Sequence, residues 1–157
     1  MKPTIYKPVG GVESATLYPT DAVASVLFSS KGCEVQLSGE GITVELIEDL
    51  SSLEEVSKHP YGATKVLHTL TLVADRKEGE AWLDEAFLER CSIDGVVAVV
   101  RLCDGRTMLV GYSAHFGDEQ PLRLESLTYN SGSSLHDTPS LSLKLVSEDS
   151  EFSKEIV

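Results

Sequence analysis

The chain has 157 residues, a formal net charge of −12, and 41% hydrophobic against 24% charged residues. That length suits one domain with a sizeable core, and the apolar content is too high for a disordered chain. Such acidity opposes binding to nucleic-acid phosphates, and no apolar run approaches the roughly 20 residues that cross a bilayer, so the expectation is a soluble, cytoplasmic protein without sequence-specific nucleic-acid binding or a membrane partner.

Residues 1 to 12 hold Pro3, Pro8 and Gly10-Gly11 with little periodicity, which predicts an extended N-terminal arm. Residues 13 to 147 read as one β-rich domain, and 148 to 157 as an acidic C-terminal tail that frays. A first strand is expected around Ala15 to Tyr18, stopping at Pro19, and a second from Ala22 to Ser29. Val35 and Leu37 alternate with polar neighbours, as do Ile42, Val44 and Leu46, so Gly39-Glu40-Gly41 is read as the turn of a hairpin with one wet face.

Between Glu48 and Gly62 the alternation breaks. Ser51-Ser52-Leu53-Glu54-Glu55 resembles a helix-capping box, which predicts about two helical turns inside a long inter-strand loop, 48–62, ending at His59-Pro60. Val66 to Ala74 is the next strand, with His68 in phase with Leu70 and Leu72, the usual position of a hydrogen-bonded core histidine. The flanking α-helix is placed at about 80–91, where Trp82, Leu83, Ala86, Phe87 and Arg90 recur at spacings of three and four.

Val96 to Cys103 and Arg106 to Tyr112 flank Asp104-Gly105, which suits a two-residue type I′ turn. That turn sets Val100 opposite Leu109, Leu102 opposite Thr107, Val99 opposite Val110 and Arg101 opposite Met108. Both faces of this hairpin are apolar, so it should be central, with its second face under the helix or another subunit. Ala114 to Glu119 is a loop, Pro121 to Tyr129 a strand, Asn130 to Pro139 a Ser/Gly-rich turn region, and Leu141 to Val146 the last strand. The fold class is mostly β (α+β): an antiparallel sandwich or barrel-like sheet with one helix.

The sequence carries few residues in patterns that point to chemistry. Cys33, Cys91 and Cys103 are an odd number at wide spacings, which favours reduced thiols used for packing. No Gly-x-Ser-x-Gly, phosphate-binding loop or dinucleotide fingerprint occurs. Ser113, His115, Asp118 and Glu119, with His136 and Asp137, are the residue types of a nucleophilic triad or a metal site, but loops carry them by default. The Asp84-Glu85 and Glu54-Glu55 pairs are explained by solvated faces. Hence no catalytic, cofactor-binding or metal residues are assigned, and no enzyme activity or cofactor is expected.

Asp94-Gly95-Val96-Val97-Ala98-Val99-Val100, Cys103-Asp104-Gly105, Leu109-Val110-Gly111-Tyr112, Pro121-Leu122-Arg123-Leu124-Glu125-Ser126, Ser131-Gly132 and Asp137-Thr138-Pro139 together resemble a recurrent pattern in tail structural proteins of phages and prophages. The element order is similar to that of a tail-tube module. The resemblance covers about the final two-thirds of the chain and implies a β-sandwich with one flanking helix, a non-enzymatic assembly role, partners that are copies of itself or other tail proteins, and a place in a virion or tail-like particle. It also sets Glu48 to Gly62 in the position of an assembly loop and gives the acidity a use, a lumen that repels DNA. The alternative function is a small β-sandwich that binds a peptide or glycan.

Overall fold

The computed structural model describes residues 10–47, 50–75, 79–114, 117–133 and 139–157. The strands are β1 (Val12–Pro19), β2 (Val23–Ser29), β3 (Gly32–Leu37), β4 (Ile42–Val44), β5 (Ser52–Lys58), β6 (Lys65–Ala74), β7 (Val96–Leu102), β8 (Thr107–Val110), β9 (Arg123–Asn130), β10 (Ser140–Asp149) and β11 (Lys154–Glu155), with one helix, α1 (Glu85–Ile93). They form a five-stranded sheet, β11-β8-β7-β1-β4, a four-stranded sheet, β5-β6-β10-β9, and a separate β2-β3 ribbon. Every strand pair within the three sheets is antiparallel. The protein is mostly β, as its alternating hydrophobic pattern predicts.

The two larger sheets face each other across the main core. Ala15, Leu17, Val96, Ala98, Val100 and Val110 come from one side, and Leu70, Leu72, Ala74, Leu141, Leu143 and Leu145 from the other. Period-two side-chain alternation puts each set on one face of its sheet. Trp82, Phe87 and Cys91 plug one end of this core.

The 80–91 helix is shorter and shifted. Ala81–Leu83 form a single 3-10 turn, Asp84 is extended at φ −64° and ψ 130°, and α1 begins only at Glu85. Asp84 occupies the position before the first helical turn, its carbonyl accepting from Leu88 N at 3.0 Å. The kink seats Trp82 in the core independently of the helix face that buries Phe87 and Cys91. The helix ends where Gly95, at φ 81°, donates its N–H to Arg90 O at 3.0 Å.

Three local expectations are corrected. Gly39-Glu40-Gly41 does not close a hairpin: β3 pairs with β2, and β4 pairs with β1 in a different sheet. Both flanking segments alternate, but alternation names a buried face and not the neighbouring strand. Ser51-Ser52-Leu53-Glu54-Glu55 is not a helix start, because Ser52–Lys58 is a strand paired along its whole length with β6. Buried Ser51 accepts from Val73 N at 2.9 Å through its hydroxyl and from Val12 N at 3.1 Å through its carbonyl, stitching β6 to the start of β1. The region 48–62 is therefore no free assembly loop in its described part.

The third correction concerns the central hairpin, which is one residue out of the expected register. Ala98 faces Val110, Val99 faces Leu109, Val100 faces Met108 and Arg101 faces Thr107. The loop has three residues, Cys103-Asp104-Gly105, closed by Gly105 N to Leu102 O at 3.0 Å and Leu102 N to Arg106 O at 2.8 Å, with Gly105 at φ 100°. This is the three-residue hairpin loop with a left-handed glycine. It frees Asp104 to accept from Arg106 N at 3.0 Å, and Arg106's hydrogen bonds hold the Asp104 carboxyl below its ordinary pKa. Gly105→Ala is expected to cost about 1 kcal/mol, since alanine is strained at positive φ, and a shift in the urea midpoint measures it.

The second apolar face of the hairpin is covered neither by the helix nor by another subunit. Val97, Val99 and Leu109 pack under the chain's own β2-β3 ribbon, against Val26, Phe28 and Val35, with Phe28 stacked on Tyr112 at 6.2 Å between ring centroids. The C-terminal residues 148–157, read as an acidic tail, are placed against the sheets. β10 continues to Asp149, and the chain then crosses as a strap: β11 pairs with β8, and Val157 N donates to Cys33 O at 3.0 Å.

Candidate functional site

The proposed loop cluster is only partly within the described residues. Ser113 is buried, and its hydroxyl donates to Asp149 Oδ1 at 2.7 Å, so its proton is committed to a carboxylate. Asp118 and Glu119 are on the described surface, whereas His115, His136 and Asp137 lie outside the described residues. Among the described residues no group of three or more His, Cys, Asp or Glu side chains is arranged to hold a metal, and no helix is long and apolar enough to cross a membrane. Cys33 and Cys91 are buried, and burial raises both thiol pKa values against the opposing charges of Lys154 and Arg90, that of Cys91 to about 11. Packing explains both.

The most developed polar site is one the sequence half reveals. His68 projects from β6 between the sheets, only 3% exposed. Its Nδ1 lies 2.8 Å from Glu55 Oε1 on the neighbouring β5, and its Nε2 lies 3.0 Å from the carbonyl oxygen of Glu151 on the strap. Ser153 N donates to the same Glu55 oxygen at 3.1 Å. Burial by itself would raise the Glu55 pKa, but the hydrogen bonds from His68 and Ser153 and the His68 charge outweigh it and hold the carboxyl below its ordinary value.

His68 is thus the hydrogen-bonded core histidine its phase with the leucines predicts. Glu55 is not the solvated residue expected of it. As a strand residue it alternates inward with Leu53 and Ser57, directly opposite His68 in the β5-β6 register. No period-two hydropathy in 52–58 signals this, because its two apolar residues, Leu53 and Val56, stand three apart and fall on opposite faces of β5. Ser147, Asp149, Tyr112, Gln120 and Ser153 line a small adjoining cavity of about 10 Å³.

Two larger surface hollows lie among the described residues. A cleft of about 370 Å³ at the end of α1 gathers Arg90 and Arg123 with Asp21 and Asp94. Its carboxylates and the negative helix terminus offset the two guanidinium groups for an anion. A groove of about 480 Å³ runs over the outer face of β6, β10 and β9, lined by Thr71, Ser126, Thr128, Asn130, Ser142 and Lys144 among others. None of its lining residues is aromatic, so a sugar ring has nothing to stack on. Compared with protein-family models, with curated proteins and with solved structures, the chain matches none.

Proposed function

We propose that the chain is a non-enzymatic structural subunit that associates with copies of itself, in the manner of the phage-type tail proteins its sequence resembles. The observation that carries this reading is the edge formed by β9. Exposed strand edges offer unpaired backbone groups and are normally kept short, charged or covered. β4 has three residues and β11 two, while β5 carries Glu54, Glu55 and Lys58. β9 has eight residues, no charge from Ser126 to Asn130, and large apolar surface at Leu127 (38% exposed) and Tyr129 (48%).

The charges of β9 favour an antiparallel match with a second β9. Centred on Leu127, such a pair sets Glu125 against Tyr129 and Arg123 against Ser131, whereas a parallel pair sets Glu125 against Glu125. Two four-stranded sheets would then join into one of eight strands, with the Ser/Thr-lined groove spanning the junction. A peptide adding to the same edge is the competing reading, and the lack of an aromatic lining removes support from a glycan.

Leu127→Lys places two like charges at the centre of that junction while altering a residue already half in solvent. We expect wild-type protein to associate as its concentration rises and the variant to do so at least about tenfold more weakly by sedimentation. A strictly monomeric wild type at every concentration, with no particles under the electron microscope, would overturn the reading.

A further inference from the structure

We infer that His68 is a proton-operated latch for the C-terminal strap, residues 150–157: the strap is closed over β8 and β3 while the buried imidazole carries two protons, and it loosens when the ring loses one. The inference does not rest on self-association. It rests on what the two ring nitrogens face.

Nδ1 meets the Glu55 carboxylate at 2.8 Å and Nε2 meets the Glu151 backbone carbonyl at 3.0 Å. Both partners are acceptors with no proton to give, so both contacts are hydrogen bonds only if both nitrogens donate, which requires the imidazolium. A neutral ring keeps one N–H. The ionised Glu55 carboxylate is the stronger acceptor and retains it at Nδ1. The lone pair left on Nε2 then faces the Glu151 oxygen at the point where the strap leaves the sheet, in a site too buried for water to substitute freely.

The charged groups on the elements against His68 are Glu55 on β5, Asp149 on β10, and Glu151 and Lys154 on the strap. Asp149 is engaged by the Ser113 hydroxyl at 2.7 Å and by Ser150 N at 2.6 Å, and Lys154 reaches Glu151 Oε2 at 3.4 Å. Tyr112 and Gln120 line the cavity beside the ring, and Ser147, opposite His68 in the strand register, donates to Gln120 O at 2.9 Å.

Besides this anchor the strap is held by Ser153 N to Glu55 Oε1 at 3.1 Å, by Val157 N to Cys33 O at 3.0 Å and by a short edge pairing. β11 pairs with β8 at two positions, Lys154 with Leu109 and Glu155 with Met108, and further along Ile156 N donates to Thr107 O at 2.8 Å. Short edge pairings of this kind belong to the low-stability end of a fold, where losing one anchor changes local opening without global unfolding. The opened state bares the edge of β8 and the Cys33 backbone. Gly32 supplies an independent way to reach it: at φ 143°, a Cβ there would press into the Glu155 carbonyl and come within 3.2 Å of Val157 Cγ1.

The test is hydrogen–deuterium exchange of residues 151–157 in the full chain, for wild type, His68→Gln and Gly32→Ala, with wild-type rates divided by those of His68→Gln at the same pH to cancel intrinsic chemistry. Across a pH series that takes the ring from its doubly to its singly protonated form, as read by nitrogen NMR of the ring, wild-type strap opening is expected to rise roughly tenfold. His68→Gln should show no such rise, since an amide does not titrate, and Gly32→Ala should be open throughout. A wild-type strap whose opening does not rise with pH, or rises equally in His68→Gln, overturns the latch. Should His68→Gln fail to fold, nitrogen NMR of the His68 ring decides instead: proton loss coinciding with strap opening supports the latch, and a neutral ring beneath a closed strap overturns it.

Discussion

Trp82→Ala is expected to lower the unfolding free energy by about 3–5 kcal/mol, the range for removing a large aromatic side chain from a packed core. Trp82 is 1% exposed and sits in the core shared by both sheets. The core it fills is framed by two hydrogen-bonded sheets, which have little freedom to close over the void. Against the roughly 5–15 kcal/mol total stability of an ordinary domain, the loss would remove much of the margin. Urea unfolding followed by far-ultraviolet circular dichroism measures it. Because Trp82 is the chain's single tryptophan, the wild type's fluorescence change on unfolding reports this same site. A loss under about 1 kcal/mol, the level of a surface substitution, would mean that the indole is not buried as described.

The same region shows what the sequence could and could not specify. Spacings of three and four marked Trp82, Leu83 and Phe87 as inward-facing, and Trp82 and Phe87 are buried, but periodicity did not reveal that Asp84 breaks the segment into a turn and a helix. The alternation of 35–37 and 42–46 identified strands and missed their partners, because pairing in different sheets is decided by burial far along the chain. At Asp104-Gly105 the turn residues located the hairpin, but the two-residue loop read from them is a three-residue loop. The one-residue difference moved Leu109 from opposite Val100 to opposite Val99, under the β2-β3 ribbon.

That ribbon also explains why two apolar faces on β7 and β8 did not require a second subunit. Nothing local in 23–37 says which surface the ribbon covers. The polar site was legible only in halves for a related reason. His68 stood out by its phase, whereas Glu55 needed the correct assignment of 52–58 as a strand, and the Glu151 carbonyl contributes through its backbone and leaves no sequence signature.

Glu55→Ala is expected to destabilise the protein near neutral pH, because it removes the carboxylate that accepts from His68 Nδ1 and Ser153 N and leaves each of those donors unpaired at a cost of about 1–3 kcal/mol. The Glu55 side chain is 14% exposed and that of His68 4%, so solvent screens the pair little. The pH dependence follows from the Glu55 pKa, which folding lowers. A carboxyl held lower in the folded state than in the unfolded chain contributes its full stabilisation above the unfolded value, and that contribution disappears as pH falls through the folded value. Glu55→Gln retains the shape and an acceptor oxygen without the charge. The stability gap between wild type and Glu55→Gln should therefore be widest above the ordinary carboxylate range and shrink progressively as the solution is acidified below it. Urea midpoints collected from neutral pH into strong acid would show this, and a gap that stays constant or widens on acidification would mean that Glu55 stabilises the fold by packing alone. Were that so, the ionised acceptor that keeps the Nδ1 proton of His68 would be missing, and the strap would lose the asymmetry that directs proton loss to Nε2.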